Sequence, residues 1–232
     1  MAESRQPNNV DVHRKHCNED GCRGQSDDDG QSIPPVRKLD YSKEPSFFLC
    51  LSDDWDLEKF PILWTIGNAD LLKCELVALF CSRKCPGTII RKAHDFVAGL
   101  YDKEIPVIGG FQTEVEKMSL DVLMQGKGSI VVCPAREIST MRPSKEWIEM
   151  LKDGRLLIVS PFASRFRRPT RTTADIRNHL VAAAAEKIIF LHAEDGSRTF
   201  AIAQELLLSE REIHTFDLKE NRNLLDLGAT CL

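Results

Sequence analysis

The chain has 232 residues, of which 28 % are charged and 42 % hydrophobic, with 13 Gly and 11 Pro. These fractions exclude collagen-like and wholly disordered chains, and no apolar run reaches the roughly eighteen residues needed to cross a membrane. The net charge of -4 excludes a globally basic nucleic-acid binder, so any polyanion must be met by a local patch.

The start, Met1-Ala-Glu-Ser-Arg-Gln-Pro, has no charged segment followed by an apolar one. It is therefore not read as a secretory signal, and a cytoplasmic location is expected. Residues 1–44 are polar, with Asp27-Asp28-Asp29-Gly and Ile33-Pro-Pro. Such a stretch buries too little apolar surface to offset its ordering entropy, and it reads as a disordered leader. His13, His16, Cys17 and Cys22 fall inside it. Their spacing fits no zinc finger or ribbon, so neither a metal nor a cofactor is expected. Eight cysteines in a chain of this kind do not form a disulfide framework. Cys50, Cys74, Cys81 and Cys133 lie in apolar stretches and read as small buried hydrophobes.

The folded domain is expected over 45–232, with its core at 75–218. A lead-in segment runs from Phe47 to Cys74. Glu75–Cys81 is an apolar run read as a buried strand. The chain then alternates. Helices are expected over Thr88–Tyr101, Glu114–Met124, Ser144–Lys152, Thr172–Glu186 and Ser197–Ser209. Strands are expected over Ile105–Ile108, Ser129–Cys133, Leu156–Ser160, Lys187–His192 and Ile213–Phe216. Ser144 and Thr172 are the candidate caps of the third and fourth helices. Strands separated by helices pair in parallel through right-handed crossovers. The fold class is α/β: a Rossmann-like, doubly wound, mainly parallel sheet with helices on both faces.

Ligands of such sheets bind beyond the carboxyl ends of the strands. The first loop there is Cys81-Ser82-Arg83-Lys84-Cys85-Pro86-Gly87, which suits an anion next to a helix start. The second is Gly109-Gly110-Phe111-Gln112-Thr113, whose paired glycines admit a close backbone approach. The third is the densest signal. It runs Pro161-Phe162-Ala-Ser-Arg165-Phe166-Arg167-Arg168-Pro-Thr-Arg171 and continues to Arg177-Asn178. Asp175 is the only acid between positions 163 and 180. Phe162 and Phe166 are placed to stack on bases. The fourth loop, His192-Ala-Glu194-Asp-Gly196-Ser197-Arg198-Thr199, again suits phosphate. There is no G-x-x-x-x-G-K-[ST], no G-x-G-x-x-G and no G-x-S-x-G, so kinase-like, dinucleotide-dependent and serine-hydrolase chemistries are set aside. Glu114 and Glu116 do not face together and are not an acid/base pair.

In this order the loops resemble the DprA/Smf family of DNA-processing proteins, within the Rossmann-like superfamily called SLOG. Phe60-Pro-Ile-Leu-Trp-Thr-Ile-Gly-Asn-Ala-Asp looks like the family's lead-in to its first core strand. Phe80-Cys81-Ser82-Arg83-Lys84 looks like its Gly-Ser-Arg-Lys signature, with Cys81 in place of the glycine. Ile108-Gly109-Gly110-Phe111 looks like its Ser-Gly-Leu turn. Arg177-Asn178 and Ser197-Arg-Thr-Phe-Ala look like its basic motif and its last helix start. Compact, single-domain members share Cys133-Pro-Ala-Arg136 and Gly154-Arg-Leu-Leu-Ile-Val-Ser160-Pro-Phe162. The chain departs from the family at Gln112-Thr-Glu-Val-Glu116, where Ala-Arg-Gly-Ile-Asp is usual, and at Arg198, where a glycine is usual.

The resemblance implies single-stranded DNA binding in DNA uptake or recombination, a recombinase partner and a homodimer, with no membrane association. The residues expected to hold phosphate or nucleic acid are Ser82, Arg83, Lys84, Gly109, Gly110, Arg165, Arg167, Arg168, Arg171, Arg177, Asn178, Ser197 and Thr199. No catalytic residue is expected, and the chain is read as a binding protein rather than an enzyme. The alternative is a SLOG-type nucleotide sensor or phosphoribohydrolase. The hydrolase branch places a glutamate where this chain has Ile202. Replacing Arg83 or Arg177 by alanine is expected to weaken binding and leave stability unchanged.

Overall fold

Each inner strand is apolar on both sides because both of its faces are covered. In the computed structural model, which describes residues 33–49, 51–52 and 55–232, β3 (Val77–Cys81), β4 (Val107–Gly109), β5 (Ile130–Val132), β6 (Leu156–Ser160) and β7 (Lys187–His192) carry this pattern. Successive residues alternate between the two sides, as the two-residue period of a strand requires. Ala78, Phe80, Leu157, Val159 and Phe190 join one apolar cluster. Leu79, Cys81, Leu156, Ile158 and Ile189 join the other.

Two helix layers cover those faces. Helices α1 (Gly87–Ala98), α2 (Glu114–Gln125) and α3 (Lys145–Lys152) bury Ile89, Val115 and Ile148 in the second cluster. Helices α4 (Arg171–Ala183), α5 (Arg198–Leu208) and α6 (Arg222–Leu227) bury Leu180, Ile202 and Leu224 in the first. The sheet is completed by β1 (Arg37–Asp40), β2 (Ile62–Gly67), β8 (Ile213–Thr215) and β9 (Thr230–Cys231). Its order is β1-β2-β6-β5-β4-β3-β7-β8-β9. From β6 to β9 all neighbours are parallel. β2 pairs antiparallel with β6, and β1 with β2. The α/β, doubly wound, mainly parallel architecture is as expected. The chain leaves β3 toward β4 on one side and returns to β7 on the other, so the winding reverses between β3 and β7.

The structure moves three boundaries. The fold does not begin at residue 45: β1 pairs along β2 and Leu39 is fully buried, as is nearly all of Ile33. The leader reading therefore fails for 33–44. Residues 1–32, with His13, His16, Cys17 and Cys22, lie outside the described residues, as does Cys50. Beyond 218, α6 packs Leu224 into the core and β9 extends the sheet. Helix α4 starts earlier than expected, because Thr170 rather than Thr172 is its cap. The Thr170 hydroxyl accepts from the Thr173 N–H at 3.1 Å, and the Thr173 hydroxyl accepts from the Thr170 N–H at 2.8 Å. Cys81 and Cys133 are buried as expected, whereas Cys74 is exposed.

Candidate functional site

Parallel strands that end side by side, each followed by a helix start, gather unpaired N–H groups at one edge of the sheet. At α2 this demand is met from within. Thr113 caps the helix, and Glu116 reaches back to complete a capping box. The Glu116 carboxylate is almost wholly buried. Its Oε1 accepts from the Cys81 N–H at 3.0 Å, and its Oε2 accepts from the N–H groups of Gln112 at 2.8 Å and Thr113 at 3.2 Å. A buried carboxylate thus occupies the place that the sequence offers to a phosphate.

Arg177 enters from α4 on the opposite face and is 4 % exposed. Its Nη1 donates to the Cys133 carbonyl at the end of β5, at 3.0 Å, and its Nε donates to Asn178 Oδ1 at 2.7 Å. Burial lowers its pKa from the ordinary arginine value, and the negative charge of Glu116 opposes that shift. The paired glycines make room for this arrangement. A Cβ on Gly110 would lie 1.7 Å from Arg177 Nη1, and one on Gly109 would lie 3.0 Å from the Phe111 ring. Their smallness admits side chains of the protein itself. The expectation that Arg177→Ala leaves stability unchanged gives way here, because the guanidinium is an interior group whose loss strands polar partners.

Where the winding reverses, Ser82 and Ser197 meet with their hydroxyls 2.9 Å apart. Ser82 Oγ also accepts from the Glu194 N–H at 3.0 Å, and Ser197 caps α5 by accepting from the Phe200 N–H at 3.1 Å. Thr199 stands half-buried in the first turn of α5. Beside them opens a cleft of about 670 Å³ lined by Lys84, Cys85, His192, Glu194, Asp195 and Arg222, among others. Lys84 Nζ lies 3.3 Å from Glu194 Oε1 in an exposed pair. Asn221 Nδ2 donates to the Leu191 carbonyl at 2.9 Å and lies 2.8 Å from Thr215 Oγ1. Its Oδ1, 2.8 Å from His192 Nδ1, is therefore an acceptor. The proton of a neutral His192 then sits on Nδ1, which leaves Nε2 as the acceptor.

The outer layer of the edge is cationic. Arg83, Arg165, Arg167, Arg168 and Arg171 are all exposed. Their loop is anchored underneath by Phe162, which is 1 % exposed, and by Phe166, whose ring lies 5.4 Å from that of Phe162. The Glu137 N–H donates to the Phe166 carbonyl at 2.9 Å. The expected base-stacking role of Phe162 is overturned by this burial. The Phe166 ring is already covered by the Arg165 guanidinium, 4.8 Å from its centroid. Arg198, at the position where the family resemblance expects glycine, pairs with Asp175 at 3.1 Å and donates to the Arg171 carbonyl at 3.2 Å, tying the starts of α4 and α5 together.

Twelve of the thirteen expected residues therefore fall into two layers, and Thr199 stands half-buried between them. Gly109, Gly110, Arg177, Asn178, Ser82 and Ser197 are packed and bonded within the protein. Arg83, Lys84, Arg165, Arg167, Arg168 and Arg171 face outward. Glu116 and His192 are not among the residues expected from the sequence, where Glu116 is set aside as no partner of Glu114 and His192 reads as a structural strand-end histidine. The Thr113-x-x-Glu116 spacing is a capping-box signature that could have found the first.

A doubly wound α/β sheet with a cationic carboxyl edge defines the class as a Rossmann-like α/β protein. Residues 50–228 match the family described as DNA recombination-mediator protein A, and the chain belongs to that DNA-processing family. Its fold is similar to DNA processing protein A (DprA) from Streptococcus pneumoniae, with a TM-score of 0.67 and 18 % identity over 85 % of this chain and 71 % of that one. It is also similar to DNA processing protein A from Helicobacter pylori, whose structure describes a single-stranded DNA binding mode. That TM-score is 0.64 at 18 % identity, over 84 % of this chain and 89 % of that one. No curated protein matches the chain.

Proposed function

We propose that this protein binds single-stranded DNA along the carboxyl edge of its sheet, without catalysis. The observation that carries the reading is the exposed arginine row at 165, 167, 168 and 171, with Arg83 on the same edge, above an inner layer whose charged groups are hydrogen-bonded within the protein. Phosphate contacts supply most of the affinity in such an arrangement. They are indifferent to base sequence and sensitive to salt. Membership of a DNA-processing family and the single-stranded DNA mode described for the Helicobacter pylori protein support it. A homodimer and a recombinase partner belong to the same proposal.

A second reading, a mononucleotide sensor, is favoured by one feature. The cleft between β3 and β7 has a volume suited to a nucleotide and holds His192 with a fixed acceptor. Hydrolysis of that nucleotide is not proposed, because Ile202 is a core residue of α5 and supplies no carboxylate. Fluorescence anisotropy with labelled oligonucleotides, competed by a panel of mononucleotides, tests both readings. Tight, salt-sensitive binding of any single-stranded sequence is expected. Binding of a mononucleotide alone would replace the first reading with the second. Release of ribose 5-phosphate at roughly 1 s⁻¹ or faster would overturn both.

A further inference from the structure

Helices α2 and α3 cover the same face of the sheet, and between them runs a groove of about 670 Å³. Leu120 and Met150 form its buried floor. Met124 and Trp147 stand half-buried along it. Four exposed carboxylates rim it: Asp121 from α2, Glu146 and Glu149 from α3, and Asp153 just past α3. Among the described residues that line it, Arg155 is the only cation. The Nε and Nη2 atoms of Arg155 are shut from solvent and have no hydrogen-bond partner among the described residues. None of the thirteen residues expected at the carboxyl edge lines this groove.

We propose that the groove docks a basic amphipathic helix of a partner protein. Its apolar side chains lie on Trp147 and the two methionines, its Lys or Arg side chains lie over the carboxylate rim, and a free backbone carbonyl accepts from Arg155.

The rim selects for charge. Four carboxylates against one guanidinium repel an anionic surface and complement a cationic one. The floor selects for shape. A metal ion or a linear polyamine would leave Trp147 and Met124 uncovered, whereas apolar side chains at helical spacing fill such a groove. Methionines adapt to an incoming surface, and Trp and Arg are the side chains that most often carry the energy of an interface. Arg155 selects for the end of the helix. A guanidinium buried without acceptors is costly, and an acceptor brought by a partner relieves it. A rotamer change, common when an interface forms, turns its N–H groups to the groove. The last four carbonyls of a helix have no partner within it, and cationic side chains are favoured in the same turn. One element therefore offers both the acceptor that Arg155 lacks and the cations that the rim lacks. The chain's own residues 1–32, with seven acidic against four basic residues, are not complementary to this rim.

The experiment uses the full chain and a labelled amphipathic helix of about 18 leucine and lysine residues, with a twin in which glutamate replaces lysine. Fluorescence anisotropy should show the lysine peptide binding, and hydrogen exchange should slow in Glu114–Gln125 and Lys145–Lys152. Asp121→Lys combined with Glu149→Lys should weaken it about tenfold, because two exposed ion pairs become repulsions. Arg155→Met should weaken it by a similar factor and leave the melting temperature of the free protein unchanged or raised, since an unpaired guanidinium gives way to an apolar chain. No binding of the lysine peptide, protection confined to other elements, or full affinity in the charge-reversed variant would overturn the proposal. Protection of these two helices by the glutamate peptide would do the same. So would a dimer of the parent that the charge reversal dissolves, because the occupant would then be a second copy. A melting temperature lowered in Arg155→Met would assign the guanidinium to the fold and overturn its part in docking.

Discussion

Arg168 and Arg177 lie in one basic stretch and have opposite surroundings. Arg168 is exposed on a loop, while Arg177 is sealed beneath the same edge against Gly110 and the Cys133 carbonyl. The difference lies in where the helix starts. Once Thr170 caps α4, Arg177 falls on the inward face with Thr173 and Leu180, at helical spacing. An arginine on that face is structural, and one before the cap is free to meet a ligand.

Arg177→Ala breaks this contrast most strongly. Removing one member of a buried charged network costs about 3–5 kcal/mol. At roughly 2–4 °C per kcal/mol for a domain of this size, calorimetry should show a melting temperature lower by about 6–20 °C. A loss no larger than that of Arg168→Ala would erase the distinction between the layers.

Gly110→Ala should cost about 1–3 kcal/mol, because its methyl group must displace the guanidinium. In the double variant with Arg177→Ala this cost should largely disappear. Additive losses in that cycle would mean that the two groups do not compete for one space.

Cys133, whose carbonyl receives Arg177, adds a pH signature. Burial pushes its thiol up to about 12. In the unfolded chain it ionises near 8.5. As pH rises above that value the unfolded state loses its proton first, so stability falls up to pH 12, by at most about 1.4 kcal/mol per unit. Denaturation of Cys133→Ala between pH 9 and 11 should show a flatter decline. An unchanged slope would place the alkaline loss elsewhere.

The outer arginines should matter least to stability. Arg167→Ala and Arg168→Ala should stay within about 0.5 kcal/mol of the parent. Each lost single-strand phosphate contact should flatten the log–log salt dependence of binding by about 0.7. Unaltered slopes would remove these residues from the interface.

Much of the fold was legible because its inner strands are short apolar runs divided by amphipathic segments. Leu156–Ser160 and Lys187–His192 coincide with the expected strands. Strand β1 escaped because Arg37-Lys38-Leu39-Asp40 has one apolar residue, and an edge strand needs no more. Helix α4 was misplaced because two threonines compete as caps, and only the reciprocal bonds with Thr173 choose between them. The loops that form the edge were legible from topology. The division into layers was not, because it depends on Glu116 reaching Cys81 from α2 and on Arg177 crossing from the other face. Neither contact leaves a local pattern.

The antiparallel pairing of β2 with β6 has a consequence for synthesis. Trp64 pairs with Ser160, and the Asn68 amide donates to the Gly154 carbonyl. During translation Ile62–Gly67 emerges long before its partner exists. At about 5–20 residues per second the wait is on the order of ten seconds. Throughout it Leu63 and Ile66, both buried in the finished protein, have β1 as their strand partner but not β6. The amino-terminal strands are thus among the last to dock, and a ribosome paused before Leu156 would hold out a two-stranded β1–β2 ribbon, its β6-facing edge unpaired, for a chaperone to cover.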